Sequence, residues 1–207
     1  NKLIVKIKAK PLNPKIVSRI KNKDNLNQYS NLSDNDFDYL SARKKQFVKT
    51  ILPIIINENQ NIIITRNFVN NLRDKLMTFK TLNSKEVKEL NKIAKKFKIK
   101  HINKHKLDLV NEILSNVDVI PNSIALAQAA LESGWGKSRF AQEYNALFGE
   151  YTYDNKKGVV PLKREFGEKH LIKSFSSYDN SVSSYFRNIN SHNAYKDFRA
   201  VRQLMRS

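Results

Sequence analysis

The chain has 207 residues, with 38 Lys and Arg against 19 Asp and Glu, a formal net charge of +19. At 40% hydrophobic and 10% aromatic it has the apolar content for a packed core, which excludes wholesale disorder. No apolar run approaches the ~20 residues that span a bilayer, and the absence of cysteine removes disulfides, thiolate nucleophiles and Cys-based zinc sites. The length suits one generous domain or two small ones. The chain begins at Asn1 without Met or a signal-like region, so a preceding natural segment, with any export signal, is expected to have been removed.

Residues 1–35 show no firm periodicity, contain Pro11 and Pro14, and carry eight Lys/Arg before the first acid, Asp24; they read as a basic arm or linker. Ser33 and Asp36 have capping-box-like spacing ahead of Phe37, Leu40, Phe47 and Ile51, which begin a long helical pattern. Pro53 is expected to kink or break it. Phe68, Leu72, Leu76 and Phe79 mark a second helix. Asn83 and Glu86 cap a third, with Val87, Leu90, Ile93 and Phe97 as its apolar face, and Leu107, Val110, Leu114 and Val117 suggest a fourth. Residues 36–120 thus form a helical, basic and chemically quiet part. Lysines outnumber arginines 28 to 10, so positive patches lack the bidentate fork that favours specific recognition of bases or phosphates. The charge suits attraction to a polyanion such as an anionic envelope surface, or it is compositional drift on a solvated face.

Residues 121–207 differ. All five glycines fall between Gly134 and Gly167, which concentrates irregular backbone there. Alternating stretches at Tyr151–Tyr153, Val159–Val160 and Leu171–Phe175 read as a small β-hairpin lobe among helices. Helices resume with Val182, Tyr185, Phe186 and Ile189, then Tyr195, Phe198, Val201 and Met205. The fold class is α+β, mainly α, with 36–207 expected to be one compact unit.

The informative stretch is Pro121-Asn-Ser-Ile-Ala-Leu-Ala-Gln-Ala-Ala-Leu-Glu-Ser-Gly-Trp-Gly136. Pro121 and Asn122 suit a helix start, and the apolar run to Leu131 predicts a helix buried on every side but Gln128. Glu132 stands at its end, before Ser133 and Gly134. The negative end of the helix dipole and partial burial beside Trp135 would both favour the protonated form of this carboxyl, which a glycosidase general acid requires. The plain alternative is that Glu132 only hydrogen-bonds the next turn. His101 and His105 have i, i+4 spacing but no accompanying Glu, so no metal site is expected, and no nucleotide-binding glycine loop or cofactor motif is present.

This motif, with Ser138-Arg-Phe-Ala and Asn145-Ala-Leu-Phe-Gly149, is similar to the glucosaminidases of glycoside hydrolase family 73, and more narrowly to bacterial Bax-type proteins. Ala42-Arg-Lys-Lys-Gln-Phe through Leu52-Pro53-Ile54, Val159-Val-Pro161 and Ser191-His-Asn-Ala-Tyr195 extend the resemblance to about residues 40–206. It implies a lysozyme-like helical body whose β lobe flanks a glycan cleft, with 121–207 as catalytic core and cleavage of the β-1,4 bond after N-acetylglucosamine in peptidoglycan. It also implies Glu132 as general acid, Tyr195 beside it, and Asn145, Phe148 and Gly149 along the groove, with Gln128, Trp135 and Tyr151 as further substrate contacts. The C-terminal motif reads His-Asn-Ala-Tyr in place of the commoner Asn-Pro-Arg-Tyr. Among the lobe acids Glu150, Asp154, Glu165 and Glu168, Glu165 before Phe166 best matches the family's second carboxylate. A gap of ~5–5.5 Å to Glu132 would give retention and ~6.5–9.5 Å inversion, and a substrate-assisted route needs no protein nucleophile. The resemblance places the protein in the cell envelope, periplasmic or exported, with glycan strands as partner and no specific nucleic acid. The competing classes are a non-catalytic glycan-binding module and a basic nucleic-acid-binding protein. Against the latter, the aromatics cluster in the glycine window whereas the charge is densest in the N-terminal half.

Overall fold

The computed structural model describes residues 39–78, 80–100, 105–161, 167 and 169–206, which fall in one compact unit, 37–207. The expected arm 1–35, the Ser33/Asp36 cap, Phe37, Phe79, His101, Glu165 and Glu168 lie outside the described residues. The described residues contain seven α-helices and a three-stranded antiparallel sheet, an α+β fold that is mainly α. No described helix is long and apolar enough to cross a membrane.

Helix α1 spans Ala42–Met77 without interruption, correcting the expected separation into two helices. Pro53 sits on the exposed side, so its ring and missing N–H fall away from the core. Buried Ile51, Leu52 and Ile55 carry the packed stripe past it. Whole turns of α1 then present Ile62, Val69 and Leu72 to the core. The helix packs against α3 (Lys106–Asn116), α4 (Asn122–Glu132) and α6 (Tyr178–Ser191). Helix α2 (Ser84–Lys96) starts at a capping box: Asn83 Oδ1 accepts from the Glu86 N–H at 2.9 Å, and Glu86 Oε2 accepts from the Asn83 N–H at 2.7 Å.

Two polar residues in the apolar stripe of α1 fix the chain ahead of α4. Asn59, fully buried, donates to the Ile120 carbonyl and to Asn122 Oδ1, both at 2.7 Å, and accepts from the Ile120 N–H at 3.0 Å. Its amide is thereby satisfied on both ends, which burial demands. Arg66 donates to the Leu114 and Val117 carbonyls at 2.7 and 2.6 Å and lies 3.5 Å from buried Asp118. These contacts set where α4 begins and hence where Glu132 ends it.

After α4 come the short helix α5 (Arg139–Tyr144) and strands β1 (Tyr151–Thr152), β2 (Gly158–Val159) and β3 (Leu171–Lys173), in sheet order β1-β3-β2. Ile172 opposes both Tyr151 and Val159, so the last strand is central. A 3₁₀ turn, Asn193–Tyr195, joins α6 to α7 (Lys196–Leu204). Helix α4 is buried on one side only, through Asn122, Ala125, Ala129 and Ala130. Ile124 and Leu131 are 43% and 76% exposed. This corrects the expected all-round burial: its small apolar face packs on α1, and Ile124 and Leu131 line an open surface.

Candidate active site

Glu132 is the last residue of α4, and the loop after it is unusually constrained. Gly134, Trp135 and Gly136 all have left-handed φ, at 58°, 58° and 74°. Glycine tolerates this, whereas Trp135 is strained. The turn is held by Ser133, whose hydroxyl donates to the Ala129 carbonyl at 2.6 Å and accepts from the Gly136 N–H at 2.8 Å, and by the Trp135 N–H on the Ala130 carbonyl at 2.7 Å. The Trp135 ring stands edge-on to Phe47 of α1 at 5.7 Å, with Lys44 4.9 Å above it. Trp135 is therefore partly seated on the helical body.

The segment 145–150 is stapled residue by residue. Asn145, left-handed at the end of α5, donates to the Phe175 carbonyl at 3.0 Å. The Leu147 N–H donates to Ser181 Oγ at 3.1 Å. Phe148 stacks on Tyr185 at 4.0 Å and 10°. Gly149 has φ +57°, and a Cβ there would meet Glu132 Oε2 at 3.9 Å, so the carboxylate of α4 and this glycine face each other. The Glu150 carbonyl accepts from the Lys173 N–H at 2.8 Å. Its carboxylate accepts from Ser184 at 3.0 Å and lies 3.5 Å from Lys173 Nζ.

Tyr195 completes the group from the far end of the chain. It is half-buried, and its hydroxyl is pushed above the usual tyrosine range by burial, then by the negative charges of Glu150 and Glu132. The phenol stays protonated and able to donate. Tyr185 donates to Gln128 Oε1, and its hydroxyl is pushed up more strongly, by burial and then by Tyr195. Glu132, Gly149, Glu150 and Tyr195 therefore form one cluster, bordered by Gln128, Phe148 and Tyr185.

The expected partial burial of Glu132 beside Trp135 is not observed; Glu132 is exposed because the loop turns the indole onto α1. Tyr151 is 65% exposed and stacks on His170 at 4.3 Å. His192 touches Tyr195 ring to edge at 6.4 Å. Among the described residues no three His, Asp or Glu side chains converge as a metal site. Sequence reasoning missed Tyr185, which it placed in a core stripe. The signal was its hydroxyl, since a tyrosine on a buried face needs a polar partner. It named Glu150 among the lobe acids, and the structure places that carboxylate beside Ser184 and Lys173.

Residues 107–206 match the family described as Glucosaminidase, mannosyl-glycoprotein endo-beta-N-acetylglucosaminidase, and this part of the chain is a domain of that family. The whole cluster lies inside the match. The chain is of the Bax type: it is 34% identical over 166 residues to Protein bax of Escherichia coli (strain K12), covering 80% of this chain and 57% of that protein. It is also 36% identical over 92 residues to Peptidoglycan hydrolase FlgJ of Escherichia coli (strain K12), covering 38% of this chain and 29% of that one. The chain thus spans little more than half of the first relative and under a third of the second. No solved structure matches significantly.

Proposed function

We propose that the protein is a peptidoglycan hydrolase of the cell envelope that cleaves the β-1,4 bond after N-acetylglucosamine. Residues 121–207 would act as catalytic core and 36–120 as its support. The observation that carries this is the approach of Glu132 to Gly149, with the charges of Glu132 and Glu150 both reaching Tyr195. An exposed carboxyl beside a glycine leaves room for a sugar ring. A glycan laid across the face of Ile124, Gln128 and Leu131 would complete a dry surround for Glu132. In its protonated form Glu132 passes its proton to the glycosidic oxygen as the bond breaks, and the conjugate base then takes one from the incoming water.

Tyr195, kept neutral, is a hydrogen-bond donor beside that proton transfer. Glu150 is only 13% exposed and is engaged by Ser184 and Lys173. It acts as a fixed negative charge that favours the oxocarbenium-like transition state. Glu165 is retained as the candidate second carboxylate. Gln128, Phe148, Gly149, Trp135 and Tyr151 are assigned to the groove, with Asn145 shaping the turn that leads into it. The positive charge gives salt-sensitive retention on an anionic sacculus.

The test is digestion of purified sacculi by wild type and Glu132→Gln, with products reduced and read by mass spectrometry. Reduced N-acetylglucosamine ends from wild type alone are expected. Equal turnover by the variant would remove Glu132 from this role. Reduced N-acetylmuramic acid ends would keep the hydrolase and change its bond. Bound sacculi without products would favour a glycan-binding module.

A further inference from the structure

Behind Glu150 lies a cavity of about 410 Å³ that the reaction does not use. Lys92, Lys95, Lys96 and Lys98 at the end of α2 form one wall, and Ser184, Arg187, Asn188 and Ser191, one face of α6, form the other. Glu150 and Lys173 close it on the lobe side. Six cations thus surround a space containing one carboxylate. Lys173 is matched to Glu150 at 3.5 Å and Lys92 to Glu89 at 3.5 Å. Lys95, Lys96, Lys98 and Arg187 have no carboxylate partner among the described residues. Four unmatched cations around one concavity repel each other unless an anion joins them.

A second observation sets this apart from a solvated helix end. Lys98 has φ +56°, in the position after α2 where the Ile99 N–H bonds back to the Ala94 carbonyl at 2.9 Å. That closing turn is normally made by glycine, because a side chain is strained there. A lysine held in that strain keeps its charge at the mouth of the cavity. The negative helix end alone would be served by Lys95 and Lys96 without strain.

We propose that this cavity receives the carboxylate-bearing peptide stems of the glycan substrate. The inference rests on the peptidoglycan reading above. Glu150 is a wall of the cavity and also acts electrostatically on Tyr195, so an occupant would lie beside the cleaved strand, where stems leave the sugar chain. Lysines as point charges suit scattered carboxylates, and Asn188 and Ser191 match peptide N–H groups. A phosphodiester chain has no such donors.

The test is an NMR titration at low salt with a synthetic stem peptide, L-alanyl-γ-D-glutamyl-L-lysyl-D-alanine. Its carboxyl-amidated form and a glycerol phosphate oligomer serve as comparisons. The free peptide is expected to shift the Arg187 and Asn188 signals, and the amidated form to bind at least tenfold more weakly. Lys95→Ala combined with Lys98→Gly should weaken the free peptide at least tenfold. Its thermal midpoint should hold or rise, because glycine relieves the left-handed position. Equal binding of free and amidated peptide, an unaffected double variant, or shifts with glycerol phosphate alone would each overturn the inference. Peptide binding here by a protein that leaves sacculi uncut would remove the hydrolase and keep the cavity assignment. Cleavage of stem-free glycan by a protein indifferent to the peptide would do the reverse.

Discussion

The hydroxyl of Tyr185 on α6 donates to Gln128 Oε1 on α4, while the face of the same ring stacks on Phe148 at 4.0 Å. One side chain therefore ties together the helix that ends in Glu132 and the segment that delivers Gly149. Tyr185→Phe keeps the stack and removes the tie. The expected cost is about 1 kcal/mol in urea denaturation, with a larger proportional loss in sacculus cleavage. A change in stability with cleavage intact would show that the tie does not position the site.

Tyr195 and Tyr185 both have hydroxyls pushed above the ordinary value. A group whose folded value is raised contributes stability that is fully present below the unfolded value and lost as pH rises through the folded one. The stability advantage of wild type over Tyr195→Phe should be flat below about pH 10 and shrink above it. Denaturation midpoints of both proteins from pH 7 to 11 would show the difference curve. An advantage that grows with pH would contradict the burial of this phenol.

Asp118, 3% exposed, sits among Arg66 at 3.5 Å, Arg206, whose Nη2 donates to Oδ1 at 2.5 Å, and Arg202, whose Nη1 donates to the Asp118 carbonyl at 3.1 Å. Burial lowers Arg66 and pushes Arg202 down to about 10, with Asp118 opposing both shifts. Asp118→Asn leaves these cations uncompensated. Breaking a buried pair costs about 3–5 kcal/mol, and the lower end is expected because Arg206 is 44% exposed. A urea midpoint within error of wild type would argue against a load on this carboxylate.

Pro53 lies inside α1 on its exposed side. Pro53→Ala restores a helix N–H and removes the ring clash, a gain of up to about 3 kcal/mol. A freer unfolded chain offsets roughly 1 kcal/mol of it. A net rise in thermal midpoint of several degrees is expected. A fall would mean that the proline shapes a bend the core requires.

What the sequence made legible was set by short-range physics. Asn83 and Glu86 identify a helix start because both halves of the box are local. The glycine window predicts the lobe because left-handed turns have few alternatives. Pro53 misled because the rule concerns an isolated helix, whereas here packed residues on the opposite side hold the turns together. The α4 run misled because small apolar residues permit close packing without requiring it on every side. Tyr185–Gln128 and Glu150–Lys173 were invisible for a different reason: their partners lie 57 and 23 positions apart, and only the fold brings them together.

The family match begins at residue 107, yet Phe47 and Lys44 support the Trp135 ring and Asn59 and Arg66 anchor the approach to α4. The matched half is consequently not portable on its own. Grafted elsewhere without the long first helix, it would keep its motif but lose the surface on which its loop is set, so any transplantable cassette has to begin near residue 41.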